Sequence, residues 1–583
     1  MADVTNAQAA AAFDELADLY ELDGAAQYRV LAYRNAAKAV REAPLSVVSL
    51  AAQGRATDLP GIGTTLQQKL RDLGESGDIP AAQRLRASYP TGLIAVMHLP
   101  GFGPKRARKL HDELGIDSLE RLRAACEQGQ IRKLKGFGPK VEESLLSALQ
   151  AGADGSPAPR ILLSRALKLA EQIAGALRNH PGAGDVEVAG SARRRADSVK
   201  DLDIVATAAD PVALAHSLGE LEIVESVSSA GDAGARVVTH TGMKVDLKVV
   251  EPDQFGNVLQ HFTGSKAHNV ALREAAVRRG LHVSEYGILD DATGQTLRCR
   301  TEEEVYAALG YAWIPPELRE GRGELEAAAL GGPGLPELVR LEDLRGELHA
   351  HTTASDGRHT MEEMALAARA RGLEYLAITD HSASHGFGNH VPADELERQI
   401  ERAHELDERL DGFKLLIGSE VNIGIDGSLD YPDELLERLD WVIASIHTAF
   451  RTPEAEMTAR MVAAIEHPWV DAIGHPTGRK IETRQPYAID MEQVIAAAAR
   501  THTMIEINAS PDRRDLNELH ARAAAEAGVL ILIDSDAHSK ANFELTRYGV
   551  YTARRAWLTA EQVANTRSWE DFAPLRKRAR NRA

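Results

Sequence analysis

Tyr375-Leu-Ala-Ile-Thr-Asp-His381 is a short apolar run that ends on potential metal ligands, and the C-terminal part of the chain repeats the pattern. Its counterparts are Leu415-Leu-Ile-Gly-Ser-Glu420, Trp441-Val-Ile-Ala-Ser-Ile-His447, Val470-Asp-Ala-Ile-Gly-His475, Met504-Ile-Glu-Ile-Asn508 and Leu530-Ile-Leu-Ile-Asp-Ser-Asp536-Ala-His538. Glu347-Leu-His349-Ala-His351 opens the series. Continuous Val/Ile/Leu runs mark strands buried on both faces, and helical stretches lie between them, which predicts a β/α barrel. Chemistry in such a barrel sits at the C-terminal strand ends, so these side chains would converge on one mouth as a multinuclear metal site. His349, His351, Asp356, His381, Glu420, His447, His475, Asp536 and His538 are the candidate ligands. One strand-end His is more often structural; a set spread over six strands is not. Imidazole and carboxylate together suit Zn2+, Mn2+ and Fe2+ alike.

A chain of 583 residues exceeds one core and implies several domains. Its hydrophobic share of 44% and charged share of 26% are ordinary for a soluble protein. No apolar stretch is long enough to span a bilayer, and Met1-Ala-Asp-Val-Thr-Asn lacks the regions of a signal peptide. Cys126 and Cys299 cannot form a disulfide framework, and a reducing, cytoplasmic, nucleoid-associated location is expected. The net charge of −19 argues against indiscriminate nucleic-acid binding but leaves room for local basic patches.

In the middle, Lys200-Asp-Leu-Asp-Ile-Val205 places Asp201 and Asp203 on one face of a strand. Paired carboxylates on an apolar strand are poor core and good ligands for hard divalent cations. Gly190-Ser191 forms a turn suited to a triphosphate, with Arg193 and Arg194 beside it, and Asp246 in Lys244-Val-Asp-Leu-Lys248 would complete a two-metal site.

Near the N-terminus, Leu59-Pro-Gly-Ile-Gly63, Leu99-Pro-Gly-Phe-Gly-Pro-Lys105 and Leu134-Lys-Gly-Phe-Gly-Pro-Lys140 share one design, each followed by a helical stretch. Glycines leave backbone N–H groups bare, and the helix N-terminus adds partial positive charge. Together they make a phosphate cradle. The expected DNA-binding residues are Gly61, Gly63, Gly101, Gly103, Lys105, Gly136, Gly138 and Lys140.

These segments resemble helix-hairpin-helix motifs. The stretch Leu59 to Leu70, with Tyr33-Arg34, is similar to the lyase domain of DNA polymerase beta, which implies a Schiff-base role for Lys69, although Thr65 stands where that family has a second Lys. The Gly-Ser turn, the three acids, Phe262-Thr-Gly-Ser265, Asn269, Arg273 and Glu285-Tyr286-Gly287 resemble the palm and thumb of family X DNA polymerases. By that resemblance Asp201, Asp203 and Asp246 bind two Mg2+ or Mn2+ ions. Gly190, Ser191 and Arg194 would hold the triphosphate, and Asn269 and Arg273 would check the nascent pair. His261-Phe262 replaces a Tyr-Phe pair near the sugar, while Arg195 and Lys200 each replace a Gly. The C-terminal order of motifs resembles the polymerase and histidinol phosphatase (PHP) domain. This implies one ion on His349, His351, Glu420 and Asp536, a second on Asp356, His381 and His538, and a third on Glu420, His447 and His475. Arg479 would neutralise a phosphate oxygen, and Glu347 stands where the family has Asp.

The expected fold is therefore multidomain: α-helical helix-hairpin-helix domains, an α+β nucleotidyltransferase palm and thumb, and a distorted, TIM-like β/α PHP barrel. The boundaries expected are a lyase-like domain 1–88, a helix-hairpin-helix domain 89–155, palm 156–251, thumb 252–316, an exposed linker 317–338 rich in Glu, Ala, Gly and Pro, and the barrel 339–583. The function implied is base excision repair by a monomer that fills gapped or nicked DNA from deoxynucleoside triphosphates. Its barrel would be a Mn2+-dependent 3′–5′ exonuclease, with 3′-phosphatase or abasic endonuclease action beside it. The competing readings are a metallophosphatase for small phosphomonoesters, which three DNA-gripping hairpins disfavour, and a non-catalytic DNA-end scaffold, which two complete acid sets disfavour.

Overall fold

The computed structural model describes residues 4–581 apart from 44, 100–101, 135, 139–140, 144, 147–148, 150–159 and 387. Two compact units emerge. One comprises Met1–Pro159, Gly175–Val186 and Lys200–Val250; the other comprises Arg160–Ala174, Glu187–Val199 and Glu251–Ala583. No helix among the described residues is long and apolar enough to cross a membrane.

The first unit begins with helices around a core of Phe13, Leu16, Leu19, Val40 and Leu70. Asn6–Asp23 starts at a capping box in which Thr5 and Gln8 satisfy each other's backbone N–H. The three hairpins repeat one turn: Ile62 N donates to Leu59 O at 3.1 Å, Phe102 N to Leu99 O at 3.0 Å and Phe137 N to Leu134 O at 3.0 Å. Gly61 and Gly136 sit at φ +89° and +91°, a conformation that glycine alone takes freely. Helix α1 (Thr64–Ser76) follows the first hairpin and α2 (Pro104–Leu114) the second.

A five-stranded sheet, in the first unit but for the last two residues of its first strand, comprises β1 (Ala183–Val188), β2 (Asp201–Ala208), β3 (Val224–Gly231), β4 (Gly234–Thr239) and β5 (Lys244–Val249), in the order β1-β2-β5-β4-β3. Strands β2 and β5 are parallel with Asp203 opposite Asp246. Leu202, Ile204, Val245 and Leu247 point into the core, so period-2 alternation turns the three acids to the other face.

The second unit is dominated by seven parallel strands in sequential order: β6 (Gly346–Ala350), β7 (Tyr375–Ile378), β8 (Lys414–Asn422), β9 (Trp441–Ser445), β10 (Ala472–Ile473), β11 (Met504–Asn508) and β12 (Ile531–Asp534). The first and last strands meet where Leu348 N donates to Asp534 Oδ1 at 2.8 Å and His351 N to Ala537 O at 2.8 Å, which closes the barrel. One side-chain set faces the surrounding helices (Leu376, Ile378, Leu415, Ile417, Val442, Ile505, Ile531, Ile533). The alternate set fills the barrel's interior (Leu348, Tyr375, Leu416, Trp441, Ile443, Met504, Leu532, with Phe572). Strand β8 pairs with β7 through Lys414–Ile417 and with β9 through Gly418–Asn422. A Cβ on Gly418 would lie 2.4 Å from Trp441 O, so the strand crossing needs glycine there.

The expected exposed linker 317–338 divides in two: 330–334 and 337 are exposed, but 317–328 is packed. Pro316–Leu318 and Glu324–Ala328 are helical turns, and Leu318, Arg319, Glu324 and Leu325 are buried. Glu324 accepts from His268 Nδ1 at 2.7 Å, Gly321 N at 2.7 Å and Arg322 N at 2.6 Å. Gly, Pro and Glu serve capped, packed turns as readily as solvated ones, so composition alone cannot separate the two.

Beside this segment, Glu302 lies between Arg193 and the fully buried Arg319. Burial raises the Glu302 pKa, but Arg319 and Arg193 outweigh it and hold the carboxyl down at about 2. A folded pKa below the unfolded one contributes stability above roughly pH 4 that is lost as pH falls toward 2. Glu302→Gln leaves Arg319 uncompensated and is expected to destabilise the fold by about 3 kcal/mol. Urea melts at pH 7 and pH 3 check this: the gap between variant and parent should narrow in acid, and an equal gap at both would refute the ionic account.

Candidate active sites

The alternate, inward-facing side chains of the barrel are apolar at the N-terminal end and ligands at the other. Leu416 gives way to Glu420 along β8, Trp441 and Ile443 to His447 beyond β9, and Leu532 to Asp536 beyond β12. All nine expected ligands meet there. Glu420 stands at the centre: Oε1 lies 3.1 Å from His447 Nε2 and 2.9 Å from His475 Nε2. Its Oε2 lies 2.9 Å from His381 Nδ1, 3.3 Å from His349 Nε2 and 3.6 Å from His351 Nε2. Asp536 Oδ1 is 3.1 Å from His351 Nε2 and 3.6 Å from His349 Nε2, while Asp356 Oδ2 is 3.0 Å from His538 Nε2 and 3.6 Å from His381 Nε2.

Ligand atoms within 4.8 Å of one another form three groups: His351, Asp356, His381 and His538; His349, His351 and Asp536; His381, Glu420 and His447. Among the described residues the division differs from the expected sets: His351 and His381 each reach two groups, and Glu420, expected to bridge, joins only that of His381 and His447. His475 touches Glu420 without joining any of them.

The donors fit metal ions. His349 Nε2, both ring nitrogens of His351, His475 Nδ1 and both Glu420 oxygens are buried with no hydrogen bond, a costly state unless something else binds them. Burial drives the Glu420 carboxyl up, yet His447, His349 and His381 hold it well below the usual carboxylate range. Asp536 is likewise held well down by His349, His351 and His538 against its burial. Burial and the His538 and His381 charges press His351 down to about 4; burial and Arg513 press His475 to about 3. Despite their burial, His349, His381 and His538 are instead pushed up by the carboxylates they face, His381 to about 10 and His538 to about 9, so cations binding here would displace their protons.

Several supporting groups lie outside the nine expected ligands. His349 donates Nδ1–H to Glu506 Oε1 at 2.7 Å, which leaves Nε2 facing the cluster, and Asn508 Nδ2 donates to Asp536 Oδ2 at 3.1 Å. Asp380 accepts from Thr352 N at 2.7 Å and from Ser355 Oγ at 2.6 Å, fixing the loop that carries Asp356. Glu347 accepts from Ser535 N at 2.7 Å and Ser535 Oγ at 3.0 Å, so it braces the β12 end. Arg479 does not face a free phosphate position: it pairs with Asp197 at 2.9 Å and donates to Arg514 O. Its acid partner comes from far upstream in the chain, which no local pattern signals. Arg513 lies nearer the ligands, with Nε 3.9 Å from Asp536 Oδ2 and Nη1 buried without a hydrogen-bond partner.

In the first unit Asp203 and Asp246 face each other across β2 and β5, with Asp201 two residues earlier on the same face. Arg236 Nε lies 3.1 Å and Lys248 Nζ 3.6 Å from Asp246 carboxylate oxygens, cations that the sequence pattern left unassigned. In the second unit Gly190 and Ser191 open the short helix Gly190–Arg193. Arg194 Nε donates to Glu320 Oε1 at 3.0 Å. Asn269 Nδ2 donates to His261 O at 2.7 Å and Arg273 Nη2 meets His261 Nδ1 at 3.2 Å, so these residues and the atypical His261 form one cluster.

Around the hairpins, a Cβ on Gly63, Gly103, Gly136 or Gly138 would meet nothing within 4 Å. Helices α1 and α2 begin at Gly63 and Gly103 with no side-chain cap, leaving their N–H groups for an anion. Lys105 is on the first turn of α2. Gly101 and Lys140 lie outside the described residues. On α1, Lys69 Nζ stands 5.9 Å from the centre of the Tyr33 ring, and burial, with Arg84 and Arg29, lowers its pKa despite Asp72.

Oxygen-rich and imidazole-rich donor sets of this kind act on phosphate esters, and the class they define is that of metal-dependent phosphotransfer enzymes. Family models narrow it. A helix-hairpin-helix domain matches residues 4–79, a SAM-like helix-hairpin-helix tandem 93–151, the DNA polymerase beta thumb 258–320 and a PHP domain 347–510. The DNA polymerase/3′-5′ exonuclease PolX of Bacillus subtilis (strain 168) is 37% identical over 97% of this chain and 98% of its own. A probable phosphatase of Thermoanaerobacter sp. (strain X514) is 35% identical over 38% of this chain and 89% of its own. One of Acetivibrio thermocellus is 34% identical over 40% and 96%. The chain belongs to the bacterial family X DNA polymerases that carry a C-terminal PHP domain.

Proposed function

We propose that the protein fills short gaps in DNA by nucleotidyl transfer at Asp201, Asp203 and Asp246 and trims 3′ ends at the barrel mouth. The observation that carries this reading is the presence of a complete carboxylate or imidazole set in each unit, within a family whose B. subtilis member is named for both activities. Divalent ions, Mg2+ or Mn2+ on the palm acids and up to three of Mn2+, Zn2+ or Fe2+ on the barrel ligands, would supply positive charge against phosphate oxygens and acidify water at neutral pH. The chain's own residues do the rest. Glu506 keeps the proton of His349 on Nδ1, Asn508 orients Asp536, and Arg513 is placed to take a phosphate oxygen. Gly190, Ser191 and Arg194 receive the triphosphate, and Asn269 and Arg273 meet the nascent pair.

The hairpin glycines Gly61, Gly63, Gly103, Gly136 and Gly138, with Lys105, grip the DNA backbone without reading sequence. The same proposal extends to Gly101 and Lys140. The enzyme would act as a monomer on gapped or nicked chromosomal DNA in the cytoplasm. Incubation with gapped DNA, nucleotides and Mn2+ tests the whole reading: both extension and shortening are expected, and failure of either removes the corresponding half.

Two further activities follow from particular observations. The probable phosphatases match only 38% and 40% of this chain, and a PHP domain model matches residues 347–510, which favours 3′-phosphatase action, with abasic endonuclease action its extension. DNA bearing a 3′-phosphate should be hydrolysed well ahead of free phosphomonoesters, and the reverse preference would favour a small-molecule phosphatase. The lowered pKa of Lys69 favours lyase chemistry. Borohydride should trap the parent on abasic DNA, and Lys69→Ala should lose at least about tenfold of that adduct; equal trapping would assign the lysine to phosphate contact alone.

A further inference from the structure

Arg195 adopts φ +59°, the left-handed region that disfavours any residue with a Cβ. What holds it there comes from the barrel sequence. Its carbonyl accepts from Arg514 Nη1 at 3.0 Å, and its guanidinium lies 4.6 Å from the centre of the Tyr551 ring. The preceding carbonyl, of Arg194, accepts from Arg555 Nη1 at 2.8 Å. Two residues on, Asp197 pairs with Arg479 at 2.9 Å and with Arg514 at 3.1 Å. Arg514 is fully buried and also donates Nε to Thr552 Oγ1 at 2.9 Å. Arg555 in turn reaches Glu320 and Glu518, both at 2.8 Å. The turn closes on Ser191, whose carbonyl accepts from Ala196 N at 3.1 Å.

We propose that the barrel is a positioning arm of the polymerase, which through Arg195 and Asp197 holds loop 190–197 in the shape that receives the incoming triphosphate. Neither residue is catalytic; both act through the loop. Two successive carbonyls tied to barrel arginines fix the peptide planes of Arg194 and Arg195, and the Asp197 carboxylate is the anion shared by Arg479 and Arg514. Without it the guanidinium cluster repels itself, and the left-handed turn loses the contacts that sustain it. The inference rests on the reading of Ser191 and Arg194 as triphosphate-binding groups.

Single-nucleotide insertion on gapped DNA by the full chain tests it. Asp197→Asn should raise the nucleotide KM about tenfold while kcat changes less than about threefold, since ground-state positioning is what is lost. Adding Arg195→Gly, which takes a positive φ freely, should return KM to within about threefold of the parent. Tyr551→Ala removes only the ring beside Arg195, should move KM in the same direction, and carries the test if Asp197→Asn does not fold. Arg194→Ala separates the two layers: if it leaves KM unchanged, the triphosphate reading itself fails. If Arg194→Ala raises KM while folded Asp197→Asn and Tyr551→Ala do not, the positioning role alone is overturned. A raised KM that Arg195→Gly cannot lower also overturns it.

Discussion

Glu420→Gln is expected to abolish 3′ trimming, by roughly 10³-fold or more, which is about 4 kcal/mol of barrier, while nucleotide addition continues. The expectation follows from position. Five imidazoles lie within 3.6 Å of one carboxylate, and both its oxygens are buried with no hydrogen bond. Glutamine keeps the shape but loses the negative charge, and its amide donors would face ring nitrogens that should bind cations. Metal content, measured by elemental analysis of purified protein, should fall together with trimming. Extension of gapped DNA should stay within about threefold, because the palm acids are untouched. A variant that keeps both its metal and its trimming would show that the charge on Glu420 is not what holds the ions.

Asp203→Asn should do the converse, lowering nucleotide addition by about 10³-fold or more with trimming retained. Asp203 stands opposite Asp246 in parallel register, and the half-exposed face they share has no packing use for two acids side by side. Arg236, opposite Asp246 on β4, is a charge partner that tolerates the substitution, so the sheet should remain folded. Gapped DNA with one templated nucleotide reads the loss directly, and circular dichroism checks the fold. Should insertion persist at a tenth of the parental rate, the carboxylate pair could not be the nucleotidyl-transfer centre.

Much of this was legible in the residues because it depends on short-range periodicity. Asp201 and Asp203, or His349 and His351, declare a shared face through spacing alone, and each apolar run announced a strand whose last inward residue is a ligand. Groups that work through tertiary contacts stayed hidden. The resemblance to the PHP domain implies a phosphate contact for Arg479, yet Asp197 engages it. Glu506 carries no local mark of its role, because its acceptance of the His349 proton needs β6 and β11 in one barrel. The acidic front of the stretch 317–338 reads as solvated chain, like its exposed Gly/Pro end, because nothing local reveals that Glu324 accepts from His268 or that Arg319 pairs with Glu302. Arg513 likewise gained meaning only once Asp536 was found beside it.

The barrel closes through a bond between Leu348 N and Asp534 Oδ1, residues 186 apart in the chain. Its ligands are distributed over that whole interval, so a ribosome must release nearly the entire C-terminal region before the pocket exists. A pocket able to load ions therefore cannot assemble from any contiguous part of the barrel sequence.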